Sequence, residues 1–274
     1  MESMIQRAAG DVLESRYAVA LTGAGVSTES GVADFRGPKG LWTTDRAAEA
    51  RAYQRFELFL NDPKAYWQEM LGLTGSHGAF YAGLQRACPN AGHYALAELE
   101  SLGVLKCVIT QNVDGLHRRA GSKRVLEYHG SVERVRCFSC GMRRPRDEVC
   151  LDELPPRCQC GGVFKYDVVH FKEPIPADVM DESEDEVLRC DLMIIAGTSA
   201  VVYPFANLPR MVRMQVGRGA ENLDADGRGR GLRIIEVNAE RTPLTSEGIS
   251  DYLIQGKTGE LLPRIVSEVK KACS

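Results

Sequence analysis

Tyr17-Ala18-Val19-Ala20-Leu21-Thr22 leads into Gly23-Ala24-Gly25-Val26-Ser27-Thr28-Glu29-Ser30-Gly31-Val32-Ala33-Asp34-Phe35-Arg36-Gly37. A short apolar run that ends in a tight glycine turn reads as a strand delivering the chain to a helix start at about Val26. Gly23 and Gly25 permit φ > 0 and let a phosphate reach the backbone, while the helix start offers free N–H groups and the positive end of a dipole. Alone this is a partial dinucleotide fingerprint, because Thr28 stands where the third glycine of Gly-x-Gly-x-x-Gly belongs. The group Asp34-Phe35-Arg36 just downstream is more than a phosphate turn requires.

Similar apolar runs recur at Ala18–Leu21, Val104–Thr110, Val125–Tyr128, Leu192–Ala196, Leu232–Val237 and Tyr252–Ile254, with helical segments between them. Alternation of strand and helix predicts an α/β fold built on a doubly wound, mostly parallel sheet. Polar or glycine motifs follow the runs: Gly23-Ala24-Gly25, Gln111-Asn112-Val113-Asp114, His129-Gly130, Gly197-Thr198-Ser199 and Asn238. Strand carboxyl ends of an open parallel sheet line one crevice, so motifs far apart in the chain converge on a single site.

Two stretches interrupt the alternation. Residues 37–90 hold both tryptophans and helical spacing (Phe56, Phe59, Leu60; Tyr66, Trp67, Met70), which suggests a helical module over the crevice. Residues 131–167 carry short-spaced cysteine pairs. The expected division is a core of 1–36, 91–130 and 168–274, with the helical module at 37–90 and the cysteine module at 131–167. Gln215 to Gly231 is glycine-rich and nearly devoid of apolar residues, and reads as a mobile surface loop. Met1 to Arg16 reads as an amphipathic helix on Met4, Ile5, Ala8 and Val12, and Thr258 to Ala272 as a final helix packed on the sheet.

Cys137-Phe138-Ser139-Cys140 and Cys158-Gln159-Cys160 are separated by 17 residues. Four thiolates at this spacing make a closed tetrahedral zinc site, with Cys150 an alternative for one ligand. A closed site holds a module together and takes no part in chemistry. Nine cysteines with no disulfide pattern fit a reducing compartment, so a cytoplasmic location is expected. Lys and Arg number 34 against 37 Asp and Glu, a net charge of −3, which gives no reason to expect nucleic-acid or membrane partners. A monomer is expected.

At the strand ends, Gln111, Asn112 and Asp114 offer two amides and a carboxylate suited to a carboxamide and a ribose, and His129 an imidazole suited to general base work. Taken singly, competing readings stand: Asp114 as a helix N-cap, Asn112 and Gly197-Thr198-Ser199 as turns, Asp34 and Arg36 as a surface ion pair. His77, His93, His117 and His170 read as structural. Taken together, Gly-Ala-Gly-Val-Ser with Asp-Phe-Arg-Gly, Thr-Gln-Asn-Val-Asp-Gly-Leu-His, Tyr-His-Gly, the four cysteines, Gly-Thr-Ser and Val-Asn resemble the sirtuin family in content and order, from about residue 17 to residue 256.

That resemblance implies a Rossmann-like core with a zinc-bearing small module, and an NAD-dependent protein-lysine deacylase acting on acyl-lysine proteins. ADP-ribosyl transfer or NAD hydrolysis in the same crevice is the alternative. It further implies that Gly23, Ala24, Gly25, Asp34, Arg36, Gln111, Ser199 and Asn238 bind the dinucleotide, with Gly197 and Thr198 shaping the turn near its phosphates. Val32, Asn112, Val113 and Asp114 would form the nicotinamide pocket. Phe35 would shield the sugar face, and Asn112 and His129 would be catalytic, His129 as the base. Ala33 departs from the family's usual proline, and Lys172 from its usual glycine in the segment that pairs with substrate peptide. Lys172 would hinder backbone approach or favour acidic neighbours of the target lysine. Family members that prefer acidic acyl groups carry Tyr-x-x-Arg in the helical module. Tyr53, Tyr66 and Tyr81 are followed three positions later by Phe56, Glu69 and Leu84, so acetyl or another uncharged acyl group is expected.

Overall fold

The computed structural model describes residues 1–38, 40–72, 83–84, 86–217 and 231–273. Six parallel strands form the main sheet: β1 (Ala18–Thr22), β2 (Leu105–Thr110), β3 (Val125–Glu127), β7 (Leu192–Ala196), β8 (Arg233–Asn238) and β9 (Tyr252–Gln255). Their spatial order is β3-β2-β1-β7-β8-β9. They coincide with the six apolar runs. The reason is visible in the burial, since successive residues serve opposite faces and both faces are covered. Ala18, Ala20, Val108, Ile194, Ile235 and Val237 join one core with the helices Glu2–Glu14, Ala91–Ser101 and Thr258–Cys273. Val19, Leu21, Cys107, Ile109, Met193, Ile195 and Ile234 join the other, against Ala177–Arg189 and Asn207–Gly217. A strand buried on both sides has no polar face to alternate with.

The chain direction across the sheet reverses between β1 and β7, so their carboxyl ends flank a topological switch point. The backbones after them interlock: Gly25 N donates to Gly197 O at 2.8 Å. Gly197 sits at φ +62, and a Cβ there would lie 2.2 Å from Val26 N. No other residue fits that crossing. The helix expected from about Val26 is instead a 3₁₀ helix spanning Ala24–Ser30.

A second, antiparallel sheet has the order β5-β4-β6, from β4 (Gly130–Cys137), β5 (Arg143–Pro145) and β6 (Phe164–Val168). It packs against the helices Arg46–Asn61 and Pro63–Met70, and the two insertions share one apolar cluster of Phe59, Tyr66, Trp67, Met70, Val135, Phe164 and Tyr166. Trp67 Nε1 donates to Phe164 O at 2.7 Å. Helical and cysteine modules thus meet as one body beside the main sheet. The loop expected from Gln215 to Gly231 and the residues His77 and Tyr81 lie largely or wholly outside the described residues. No helix among the described residues is long and apolar enough to cross a membrane.

Candidate active site

A crevice of about 730 Å³ runs along the carboxyl ends of the main sheet, within the size range of ligand-binding clefts. Its walls include Ala24, Gly25, Gln111, Asn112, Val113, His129, Gly197, Thr198, Ser199 and Asn238 from strand ends, with Asp34, Phe35 and Arg36 from the loop after Ser30. Of the cofactor-site residues singled out in the sequence, Gly23, Val32 and Asp114 do not line the crevice, and Val32 packs against the apolar cluster of the smaller body.

Behind the wall, one serine organises the amide. Asn112 Nδ2 donates to Gly23 O (3.1 Å) and to Ser27 Oγ (3.0 Å), and Ser27 Oγ donates to Asp114 Oδ2 (2.7 Å). Asp114 Oδ1 accepts from Leu116 N at 2.9 Å, a turn contact just ahead of the helix Leu116–Arg119, whose N-cap is Gly115 and not Asp114 as one competing reading had it. Burial pushes the Asp114 carboxyl above its ordinary range, against the opposing pull of these hydrogen bonds. Ser27 was not singled out in the sequence, where a small polar residue inside a glycine turn carries no distinguishing signal. His93 and His117 back the same cluster, as expected of structural histidines. Their rings lie 4.8 Å apart, His117 Nε2 is 2.9 Å from Thr22 Oγ1, and burial lowers their pKa values to about 4 and about 3.

His129 follows β3 and opens toward the crevice on one side. Burial lowers its pKa to about 4, against a hydrogen bond to the Gln111 backbone carbonyl that raises it. The imidazole is therefore neutral at pH 7 and able to accept a proton. Gly130 next to it has φ +79, and a Cβ there would lie 1.7 Å from Asp167 O. The Tyr-His-Gly motif is thus the place where the chain crosses tightly into the second sheet. Val169 N returns to His129 O at 2.9 Å.

The loop carrying Asp34, Phe35 and Arg36 is held by Leu41 N to Asp34 O (2.8 Å) and Trp42 N to Phe35 O (2.9 Å). Asp34 Oδ1 accepts from Gly37 N and the Arg36 guanidinium lies 4.4 Å over Trp42, so the two make no ion pair with each other among the described residues. Phe35, Trp42, Phe171 and Tyr53 form a continuous aromatic ladder, with centroid spacings of 4.8, 5.6 and 4.2 Å. This ladder joins the loop to the opposite wall, formed by Val168 to Ile175. Trp42 and Tyr53 were missed because nothing local marks a contact between residues 35, 42, 53 and 171.

On that wall His170 is buried, 3.0 Å from Tyr66 Oη, yet also lines the crevice. Lys172 is exposed, lines the crevice and adopts φ +68, a conformation that disfavours side chains. Glu173 beside it is locked by Lys165 Nζ (3.0 Å), Arg136 Nη2 (2.7 Å) and His170 N (3.0 Å). Among its described residues the helical module does bring a cation to the crevice: Arg55, whose guanidinium stands 3.6 Å from Glu69. It lies outside any Tyr-x-x-Arg pattern, so the sequence did not single it out.

Cys137, Cys140, Cys158 and Cys160 place their four sulfur atoms within 4.8 Å of one another, at 3.5 Å for Cys137 to Cys160 and 3.8 Å for Cys140 to Cys158. A tetrahedral site with zinc–sulfur bonds of about 2.3 Å has sulfur–sulfur edges of about 3.8 Å, so the donor set fits zinc. Burial raises the Cys137 thiol, but the backbone N–H groups of Cys140 and Ser139, together with the neighbouring Cys140 and Cys160 thiols, outweigh it and bring the pKa down to about 7. Cys150 is exposed and outside the cluster.

The fold and the site together define an α/β protein of dinucleotide-binding architecture with a four-cysteine metal centre on its smaller body. Comparison with known proteins is more specific. The Sir2 family model matches residues 23–204, and the chain belongs to that family. The NAD-dependent protein deacylase of Thermococcus kodakarensis is 41% identical, covering 97% of this chain and 96% of its own. NAD-dependent protein deacylase 1 of Archaeoglobus fulgidus is 44% identical, covering 96% and 97%. A solved Sir2 homologue in complex with NAD superposes with a TM-score of 0.76 at 41% identity, over 100% of this chain and 95% of that one. A Sir2 protein bound to a myristoylated histone peptide superposes with a TM-score of 0.67 at 35% identity, over 100% and 99%.

Proposed function

We propose that this chain is an NAD-dependent protein-lysine deacylase, acting foremost as a deacetylase, whose products are nicotinamide, free lysine and O-acyl-ADP-ribose. The observation that carries this reading is the meeting in one crevice of the Ala24–Gly25 and Gly197–Ser199 turns, the Asn112 amide held from behind by Ser27 and Asp114, and His129. The deacylase relatives and the peptide-bound structure support the substrate class.

Bound NAD supplies an electrophilic ribose carbon once its nicotinamide departs. Ala24, Gly25, Gln111, Thr198, Ser199 and Asn238 hold the dinucleotide, and Arg36 helps organise its phosphates and ribose. Val32, Asn112, Val113 and Asp114 make the nicotinamide pocket, where Ser27 and Asp114 fix the Asn112 amide. Phe35, backed by Trp42, excludes water from the sugar face. His129 donates one ring N–H to the Gln111 carbonyl and takes a ribose hydroxyl proton on its other nitrogen. Zinc held by the four cysteines stabilises the antiparallel sheet and stays outside the reaction. We propose the division of the chain given above, with the insertions at 37–90 and 131–167.

Incubation with NAD and a panel of acyl-lysine peptides tests this, read as nicotinamide release and the mass of O-acyl-ADP-ribose. Free ADP-ribose or an ADP-ribosylated protein as the sole product would place the chain among hydrolases or transferases instead. His129→Ala is expected to lose at least a hundredfold in turnover, the scale of general base removal, while NAD affinity measured by calorimetry stays within about threefold.

A further inference from the structure

Within the apolar run that makes β8, Ile234-Ile235-Glu236-Val237-Asn238, one carboxylate is completely buried: Glu236 has 0% exposure. Glu236 and Asn238 are two apart and so project from the same face of the strand, in the row begun by Ile234. A carboxylate taken out of water at this depth needs compensation. Among the described residues no cation pairs with it.

Four neutral donors satisfy it instead. Oε1 accepts from Thr245 Oγ1 (2.6 Å) and Ser250 Oγ (2.5 Å), and Oε2 from Thr242 Oγ1 (2.5 Å) and Asn238 Nδ2 (3.1 Å). An ionised carboxylate offers about four lone-pair sites and no donor, so every site is filled. This has one consequence for the crevice. The Asn238 amide must turn its NH₂ to Glu236, which leaves Oδ1 facing the other way. There it accepts from Thr198 N at 3.0 Å, and Thr198 Oγ1 in turn accepts from Gln111 Nε2 at 2.7 Å. Asn238, Thr198 and Gln111 all line the crevice, whereas Glu236 does not.

We infer that Glu236 is the positioning residue of the dinucleotide-binding wall: as an acceptor-only group it fixes which way the Asn238 amide points, and through it the Thr198 turn. The inference rests on the reading of this crevice as an NAD site. Glutamine at 236 keeps the shape but can present an NH₂ of its own, so of the two groups that direct the Asn238 amide only the Thr198 N–H is certain to remain, and the amide is held less firmly.

The test is NAD affinity by calorimetry for the wild type, Glu236→Gln, Asn238→Ala and the double variant, with fold checked by circular dichroism. Glu236→Gln should weaken NAD binding on the order of tenfold, the scale of one misdirected hydrogen bond in a desolvated site, and raise KM for NAD while leaving KM for the acyl peptide in place. Because Glu236 acts through Asn238, the double variant should bind NAD no more weakly than Asn238→Ala alone. Multiplied losses in the double variant, or unchanged affinity in Glu236→Gln, overturn the positioning role. Should Glu236→Gln fail to fold, Thr245→Val, which removes one donor outside the crevice, should give a smaller loss that again vanishes on the Asn238→Ala background, and a loss that persists there overturns the role. A wild-type chain that binds no NAD overturns the reading of the crevice itself, a result distinct from each of these.

Discussion

Lys172 shows how one residue can be strained and informative at once. A side chain at φ +68 costs roughly 1–2 kcal/mol relative to an ordinary conformation, part of which glycine would return in unfolded-state entropy. Lys172→Gly is therefore expected to raise stability by about 0.5–1 kcal/mol, read as an upward shift of the urea midpoint. Its ammonium sits on the crevice wall opposite the strand ends, next to a Glu173 already committed to Lys165 and Arg136. Peptides with acidic neighbours of the acyl-lysine should accordingly be turned over about two- to fivefold faster at low salt than those with basic neighbours, as exposed charge pairs allow. The preference should fade in high salt and reverse in Lys172→Glu. Equal turnover of both peptide sets would remove Lys172 from the specificity of the site. The sequence exposed Lys172 only by comparison with a family pattern, and it showed Ser27 as one letter of a motif without its part in holding Asn112. Glu236 it announced faintly, as a charge inside an apolar strand.

The elements divide by how their burial is arranged. The six strands of the main sheet were legible because both of their faces are covered, which writes them as unbroken apolar runs. The second sheet was not. β4 reads Gly-Ser-Val-Glu-Arg-Val-Arg-Cys, with one face on the apolar cluster and the other carrying Arg134 and Arg136 to Asp167 and Glu173. It starts at the Gly130 crossing and ends on Cys137, inside the four-cysteine cluster. Such a sheet depends on its metal more than on its core. Removing zinc with a chelator, or Cys140→Ser, should release Trp67 from its place against Phe164 and Tyr166 and shift tryptophan emission to the red. Far-ultraviolet signal from the main sheet should largely survive, and deacylation should be lost, because the wall from Val168 to Glu173 continues directly from β6. Full activity in a metal-free preparation would count against this dependence.

At the scale of the whole molecule, three imidazoles set the response to acid. His93, His117 and His129 have folded-state pKa values of about 4, 3 and 4 where an exposed histidine titrates near 6.5, in each case first because burial disfavours the charged ring. Below pH 6.5 the unfolded chain binds protons that the folded chain refuses, so stability falls as pH drops and levels off only near pH 4 and below. Between pH 7 and pH 5 the loss should be of the order of several kcal/mol, visible as a lower urea midpoint. His93→Gln should blunt that slope, whereas an unaltered slope would show that carboxylates dominate it. The convergence of distant strand ends on one crevice was also legible, since parallel topology alone enforces it. The aromatic ladder was not, because it depends on how the smaller body docks.

The tight crossing at Gly130 and the return bond from Val169 N to His129 O place two passages between the bodies side by side. Mechanically, two passages so placed have the geometry of an axle. If the smaller body rocks against the sheet about that pair, Lys172 and the cysteine cluster travel on long radii while His129 stays nearly still. The proton acceptor keeps its address in the frame of both bodies, so opening the crevice for cargo need not displace the group on which the reaction turns.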